Sequence, residues 1–182
     1  MANYVKNRLT IQGKNAEKIM QSLVTVSPET NKFYFDFNKI VPMPDFIFKG
    51  NLGQKEKEEY GKNNWYDWSI TNWGTKWNAL DTEYERGANV VCFETAWSDI
   101  RKFICKLSQQ YPTNTFMYDY AEERIGFYTG QATFQCGENI NNIENEDYSK
   151  EAYELAFELW GQGFKEEYKF DKKLNTYVPI EE

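Results

Sequence analysis

Indole, carboxylate and amine groups crowd into one short run of this chain. Trp65, Asp67, Trp68, Asn72, Trp73, Lys76 and Trp77 fall within thirteen residues, and the run holds four of the six tryptophans. Two kinds of chemistry are open to such a set. Indole faces beside a lysine make a recognition surface, since Trp and Tyr dominate binding hot spots and an amine over a ring is a cation–π pair. Asp67 and Lys76 could instead serve as acid and amine in a reaction, but no second carboxylate stands at a fixed spacing from Asp67. Four exposed tryptophans would form a patch of roughly 600–1,000 Å². That exceeds the few hundred Å² a monomer usually leaves wet, so most of them pack against the domain or a partner. Burying one is worth at most about 4–6 kcal/mol, so three could hold a long segment down as a mini-core. Spacing alone leaves both readings open. In the recognition reading, Trp68, Trp73 and Lys76 border a shallow pocket that faces Asn38 and Trp97, with Asn72 and Asn78 supplying hydrogen bonds.

Other constellations exclude more than they offer. The chain has no histidine. That removes the commonest general base, the Ser-His and Cys-His pairs and His-containing zinc sites. Asp36 and Asn38 lie opposite Phe35 and Phe37 by alternation and suit a solvated face or a hydrogen bond into the tryptophan segment. Gly126-Phe127-Tyr128-Thr129-Gly130 lacks the Lys-Ser/Thr ending of a phosphate-binding loop. Cys92, Cys105 and Cys136 form no C-x-x-C pair and read as reduced core cysteines of a cytosolic protein. No metal set and no cofactor motif is present, and no catalytic residue is expected.

The net charge is −7. From Ile125 to Trp160 seven acids face a single base, Lys150, so this window carries most of the excess. Such a field disfavours direct contact with a nucleic-acid backbone. Glu146, Asp147, Glu151, Glu154 and Glu158 form a candidate acidic partner face, with Glu151, Glu154 and Glu158 at helical spacing. No apolar run is long enough to span a membrane, and the polar start of the chain lacks the apolar centre of a secretion signal.

The elements that must position these groups follow from periodicity. Tyr4 to Gln12 reads as a strand, and Ala16, Ile19, Met20 and Leu23 mark a helix capped by Asn15. Phe33, Phe35 and Phe37 alternate as a second strand, and Val41-Pro42-Met43-Pro44 stops it. Asn64 caps a short helix from Trp65, and Gly74 closes it. Val90, Val91 and Phe93 mark a third strand. Ser98 caps a helix bearing Ile100, Phe103, Ile104 and Leu107. Phe116, Tyr118 and Tyr120 mark a fourth strand, and Ile125 to Cys136 a fifth. A third helix, capped by Asn145 and ended by Gly161, carries Tyr148, Ala152, Leu155 and Leu159. A terminal hairpin turns around Asp171-Lys172-Lys173. The order is a single α+β domain, a ferredoxin-like split βαβ sandwich. Its first half is 1–44, a Trp-rich insertion occupies 45–80, the second half is 81–136, and a C-terminal helix plus hairpin extension fills 137–182.

Specific strings also carry a likeness. Asn7-Arg8-Leu9, Phe35-Asp36-Phe37-Asn38-Lys39-Ile40-Val41-Pro42-Met43-Pro44, Trp65-Tyr66-Asp67-Trp68, Asn72-Trp73-Gly74-Thr75-Lys76-Trp77-Asn78-Ala79 and Thr95-Ala96-Trp97-Ser98 resemble the YubB-type ferredoxin-like family of phages and plasmids. Those motifs span residues 3 to about 130. The third helix and hairpin are less like that family and read as an addition. The resemblance implies the ferredoxin-like fold and a mobile-element origin, and no activity, cofactor or catalytic residue. The leading expectation is a non-catalytic cytoplasmic accessory protein that binds a host or mobile-element protein through the tryptophan region and the acidic helix. One alternative is an acidic anti-defence inhibitor that imitates nucleic acid before a host nuclease or restriction system. Another is a small-ligand binder or histidine-free enzyme, which needs a concave pocket near residues 38, 68 and 76.

Overall fold

The computed structural model describes residues 3–180. In chain order the elements are β1 (Tyr4–Gln12), α1 (Ala16–Leu23), β2 (Val24–Val26), β3 (Phe33–Phe35), α2 (Gln54–Tyr60), α3 (Trp65–Asn72), β4 (Leu80–Glu83) and β5 (Val90–Ala96). They continue as α4 (Arg101–Gln110), β6 (Thr115–Glu122), β7 (Thr129–Gln135), β8 (Glu138–Glu144), α5 (Lys150–Trp160), β9 (Tyr168–Asp171) and β10 (Thr176–Pro179). The main sheet is antiparallel, ordered β4-β5-β1-β6-β7-β8. Strands β4-β5-β1-β6 with α1 and α4 are the split βαβ sandwich, and the fold is α+β and ferredoxin-like. Strands β7 and β8 extend it as a meander. Among the described residues no helix is long and apolar enough to cross a membrane.

Alternation sets the two faces of the sheet. Val5, Leu9 and Ile11 of β1, Val91 and Phe93 of β5, and Phe116, Tyr118 and Tyr120 of β6 point to one side. There they meet Ala16, Met20 and Leu23 of α1 and Phe103, Ile104 and Leu107 of α4. Asn7 breaks this apolar row, and its side chain is fully buried. Its amide donates to Val5 O (2.7 Å), Phe93 O (3.3 Å) and Thr95 Oγ1 (3.0 Å). Its carbonyl oxygen accepts from the Tyr118 hydroxyl, which itself accepts from Ile100 N–H at 3.0 Å. Thr95 Oγ1 donates onward to Ser98 O (2.8 Å). Every polar atom of this buried chain is satisfied, as burial requires.

The opposite face is charged and half covered. Lys6 reaches Glu83 at 2.6 Å and Glu94 at 3.6 Å, while Arg8 reaches Asp119 at 2.6 Å and Glu158 at 2.5 Å. Helix α5 seats Leu155, Ala156 and Leu159 against Ala121, and Trp160 Nε1 donates to Ala121 O and Glu122 O. On its other side Tyr153 and Phe157 pack on Tyr168 and Tyr177 of the terminal hairpin.

Several sequence expectations are corrected. The Phe33–Phe37 alternation does not enter the main sheet: β3 pairs with β2 as a separate ribbon, and Phe37 opens a 3₁₀ turn capped by Asp36. The edge strand of the sandwich is β4, after the tryptophan segment. Phe35 N–H and Phe37 N–H are met by the side chains of Thr82 (3.0 Å) and Asn78 (2.9 Å), not by a neighbouring strand. Strand β8 was not expected. All seven of its residues are exposed, so no alternating apolar signal marks it. Asn15 takes a left-handed conformation and makes no side-chain cap. Ser149, not Asn145, caps α5, and Asn145 instead donates to Thr129 Oγ1. Asp99, not Ser98, receives the first free N–H of α4, that of Arg101. Tyr148 precedes α5 and is exposed rather than part of its inner stripe.

Removing the Tyr118 hydroxyl tests the buried chain. Tyr118→Phe leaves Ile100 N–H and the Asn7 carbonyl without partners, which costs about 1–3 kcal/mol. Urea unfolding should show a lowered midpoint with an unchanged slope. An unchanged midpoint would mean that this network does not stabilise the fold.

Candidate functional site

The tryptophan run divides its labour. Asn64 caps α3 by accepting from Asp67 N–H (3.0 Å), and its amide donates to the Asp67 carboxylate (2.6 Å). Asp67 is therefore committed to its own helix start. Gly74 follows the helix with φ 82°, the left-handed geometry that glycine supplies at no steric cost. Trp73 is only 4% exposed. It lies edge-on to Trp68 and Phe37, and its Nε1 donates to Val41 O at 2.9 Å. Thr75 Oγ1 clamps Ala96 of β5, donating to its carbonyl and accepting from its N–H, both at 3.0 Å. Asn78 joins Phe37 N–H, Ala79 N–H and the Asp36 carboxylate. Asn38 is held in the same corner by Asp36 and Met43.

The remaining aromatic groups form a ledge. Lys76 Nζ sits 4.2 Å from the Trp77 ring centroid and 5.1 Å from that of Trp97. Tyr66 meets Trp97 edge-on, and Trp65 meets Tyr66 likewise. Trp97 is 45% exposed and has φ 72°. A bulky side chain in that region is an outlier, and such strain, about 1–3 kcal/mol, gathers at functional sites. The geometry brings Trp65, Lys76, Trp77 and Trp97 together, with Tyr66 added. It does not assemble the expected pocket. Among the described residues Asn38, Trp68 and Lys76 are absent from the lining of the main cleft, onto which Asn72 and Trp73 open.

That cavity is a cleft of about 690 Å³ between the end of α3, one face of α4 and the β7–β8 meander. Trp73, Ile100 and Phe134 underlie it, Lys102 and Lys106 stand on α4, and Asn72, Asn139 and Asn142 supply amides. One end is closed by a cluster that sequence reasoning missed. Arg101 donates to both oxygens of Asp99 (2.9 and 3.2 Å), to Asn142 (3.2 Å) and to Glu144. Tyr128 donates to Asp99 at 2.6 Å, and the Arg101 guanidinium lies 4.9 Å from the Tyr120 ring. Burial works against the Arg101 charge, but hydrogen bonds from Asp99 and Glu144 outweigh it and raise its pKa. Burial also pushes the Tyr120 phenol up. Burial, then the Asp99 hydrogen bond, pushes Tyr128 up to about 12. The cluster holds its charges in place. Asp99 and Arg101 are near neighbours in sequence, but Tyr128, Asn142 and Glu144 lie too far along the chain for spacing to reveal the cluster.

The acidic face is less free than its composition suggests. Glu158 pairs with Arg8 and Glu144 with Arg101. Glu154 lies 3.8 Å from Lys150, and the Asp147 carboxylate accepts from Tyr128 N–H. Glu146 and Glu151 are exposed.

The phenols give a pH test. An unfolded tyrosine ionises near pH 10, whereas folded Tyr128 keeps its proton to about 12. Between those values the folded state binds more protons, so stability falls as pH rises. The urea midpoint should drop from pH 10 to 12, and Tyr128→Phe should flatten that drop. An equal slope in the variant would disprove the assignment.

Comparisons place the chain among known proteins. No curated protein matches it. A crystal structure of the protein Api92 from Yersinia pseudotuberculosis is similar over 61% of this chain and 39% of that one, at 14% identity and a TM-score of 0.38. The chain thus spans about two fifths of that protein's length. A family model described as the ferredoxin-like domain in Api92-like protein matches residues 72–163, from the end of α3 to just past α5. The chain belongs to this family of ferredoxin-like domains of Api92-like proteins.

Proposed function

We propose that this protein is a non-catalytic accessory component of a mobile genetic element, and that it acts by binding a host or element-encoded protein through the Trp97 ledge. One observation carries the reading. Trp97 is held in a strained left-handed conformation and is nearly half exposed, while its backbone N–H donates to Asn3 O at 2.8 Å. Strain retained in an exposed indole favours a surface role over a packing role. Lys76, stacked between Trp77 and Trp97, adds a cation to the same surface. The YubB-type likeness of the strings that build the ledge supports the mobile-element origin. On the acidic face only Glu146 and Glu151 stay exposed with no partner among the described residues, so the acidic helix adds little to this reading. The nucleic-acid-mimic reading has weaker support, because Arg8 and Arg101 occupy acids that a mimic would present.

The test separates binding from folding. Trp73 belongs to the core, so substituting it would confuse the two. Trp97→Gly removes the indole at a position where glycine accepts the backbone angle, so stability should change by no more than about 1 kcal/mol. Affinity purification of host proteins on wild type, Trp97→Gly and Lys76→Ala should lose the same specific partner in both variants. That capture should survive 0.5 M salt, as a largely apolar contact would. Equal recovery by the folded variants would remove the ledge from function.

A further inference from the structure

The cleft beside α4 is a second site, distinct in chemistry from the ledge. Its lining carries three cationic side chains, Arg101, Lys102 and Lys106, and one carboxylate, Asp99. This local positive excess sits in a chain of net charge −7. Arg101 is already occupied by Asp99 and Glu144. Among the described residues neither Lys102 nor Lys106 forms an ion pair, and Lys106 Nζ reaches only the Asn72 carbonyl, at 3.5 Å. The two amines project from successive turns of one helix and are point charges suited to phosphate oxygens.

The rest of the lining asks for more than an inorganic ion. Asn72 donates its amide hydrogen to Trp68 O, and among the described residues nothing donates to its Oδ1. Asn139 and Asn142 stand on the facing strand, where Asn142 Oδ1 already accepts from Arg101 and its amide nitrogen donates to Glu144. A ligand using the Asn72 Oδ1 must carry a hydrogen-bond donor of its own. Below lies an apolar floor with Trp73, 4% exposed, at its centre. A volume of about 690 Å³ is within the usual range for small-molecule sites, roughly 300–1,000 Å³. A phosphate, a donor-bearing edge and an apolar body of that size describe one ligand class.

We infer that the α4 cleft binds a nucleoside phosphate, with the phosphate on Lys102 and Lys106 and the base edge against the Asn72 Oδ1. The cleft and the ledge meet where Ser98 Oγ donates to Gly74 O at 2.6 Å, yet no ledge side chain lines the cleft.

Calorimetric titration of the full chain with AMP, ADP, GDP, UDP and CDP tests this, with adenosine, guanosine, uridine, cytidine and inorganic pyrophosphate as separate arms. At least one nucleotide should bind and raise the melting temperature. The matching nucleoside and pyrophosphate should each bind at least tenfold more weakly. Each lysine should contribute roughly tenfold, the usual worth of a charge-assisted contact. Lys102→Gln/Lys106→Gln should therefore weaken binding about a hundredfold, with an unchanged urea midpoint because both side chains are exposed. Asn72→Ala should weaken the nucleotide and leave pyrophosphate untouched. Three results would overturn the inference: no nucleotide binding at millimolar concentration, equal binding by the double lysine variant, or pyrophosphate binding as tightly as the best nucleotide.

Discussion

A single buried amide organises this domain. Asn7 interrupts an otherwise apolar face of the central strand, and a lone amide there would be costly. It is tolerated because the two neighbouring strands β5 and β6 supply partners: Phe93 O, Thr95 Oγ1 and the Tyr118 hydroxyl. The same chain of bonds reaches Ser98 O and Ile100 N–H. It therefore fixes the turn from Thr95 to Ile100, not only the strands. Trp97 of the ledge and Ile100 of the cleft floor both sit on that turn. The two surface features are rigid because the polar core beneath them is closed.

Charge obeys a similar logic. Composition predicts a strongly negative C-terminal third, whose like charges taken alone would repel one another. The fold answers with cations from elsewhere in sequence. Arg8 of β1 takes Glu158 of α5, and Arg101 of α4 takes Glu144 of β8. Each bridge ties the extension to the sandwich at a point where apolar contact is thin. Exposed pairs contribute little stability, but both arginines also hold a shielded carboxylate, Asp119 and Asp99. Their orientation is set by that inner partner, so the outer glutamate meets a preformed donor. The acidic segment is thus an internal counter-ion as much as a surface.

How much of this was legible depended on how local each signal was. Strand β1, helix α3 with its Asn64 cap and Gly74 stop, and the β9–β10 hairpin could be read, because each is encoded by neighbours in sequence. The return strand of the first βαβ unit could not. Phe33, Phe35 and Phe37 carry a stronger alternation than Leu80 to Glu83, yet β4 takes the sheet edge. The phenylalanines are needed as core, where Phe37 packs on Phe103 and Phe35 on Phe93. Their backbone is served by the side chains of Thr82 and Asn78, and periodicity says nothing about side-chain partners. Strand β8 escaped for the opposite reason: with no buried residue it has no pattern. Of the expected site, Lys76 stacked on indole was legible from adjacency. The Asp99–Arg101–Tyr128–Glu144 cluster was not, since only the folded sheet brings those positions together.

The string from Asn72 to Ala79 makes the separation of scaffold from function concrete. Trp73 spends its N–H on Val41 O, Gly74 its carbonyl on Ser98, Thr75 its hydroxyl on Ala96, and Asn78 its amide on Asp36, Phe37 and Ala79. These residues are a strap that locks the tryptophan segment to β5 and to the β3 turn. A group whose hydrogen bonds are all made inward has little left with which to recognise anything. Among the described residues of the strap, Lys76, Trp77 and the side-chain Oδ1 of Asn72 keep unspent chemistry facing outward. Two of these belong to the ledge and one to the cleft. A family sharing the string would share the scaffold through its inward half, while its members could differ in what they bind through these few outward positions.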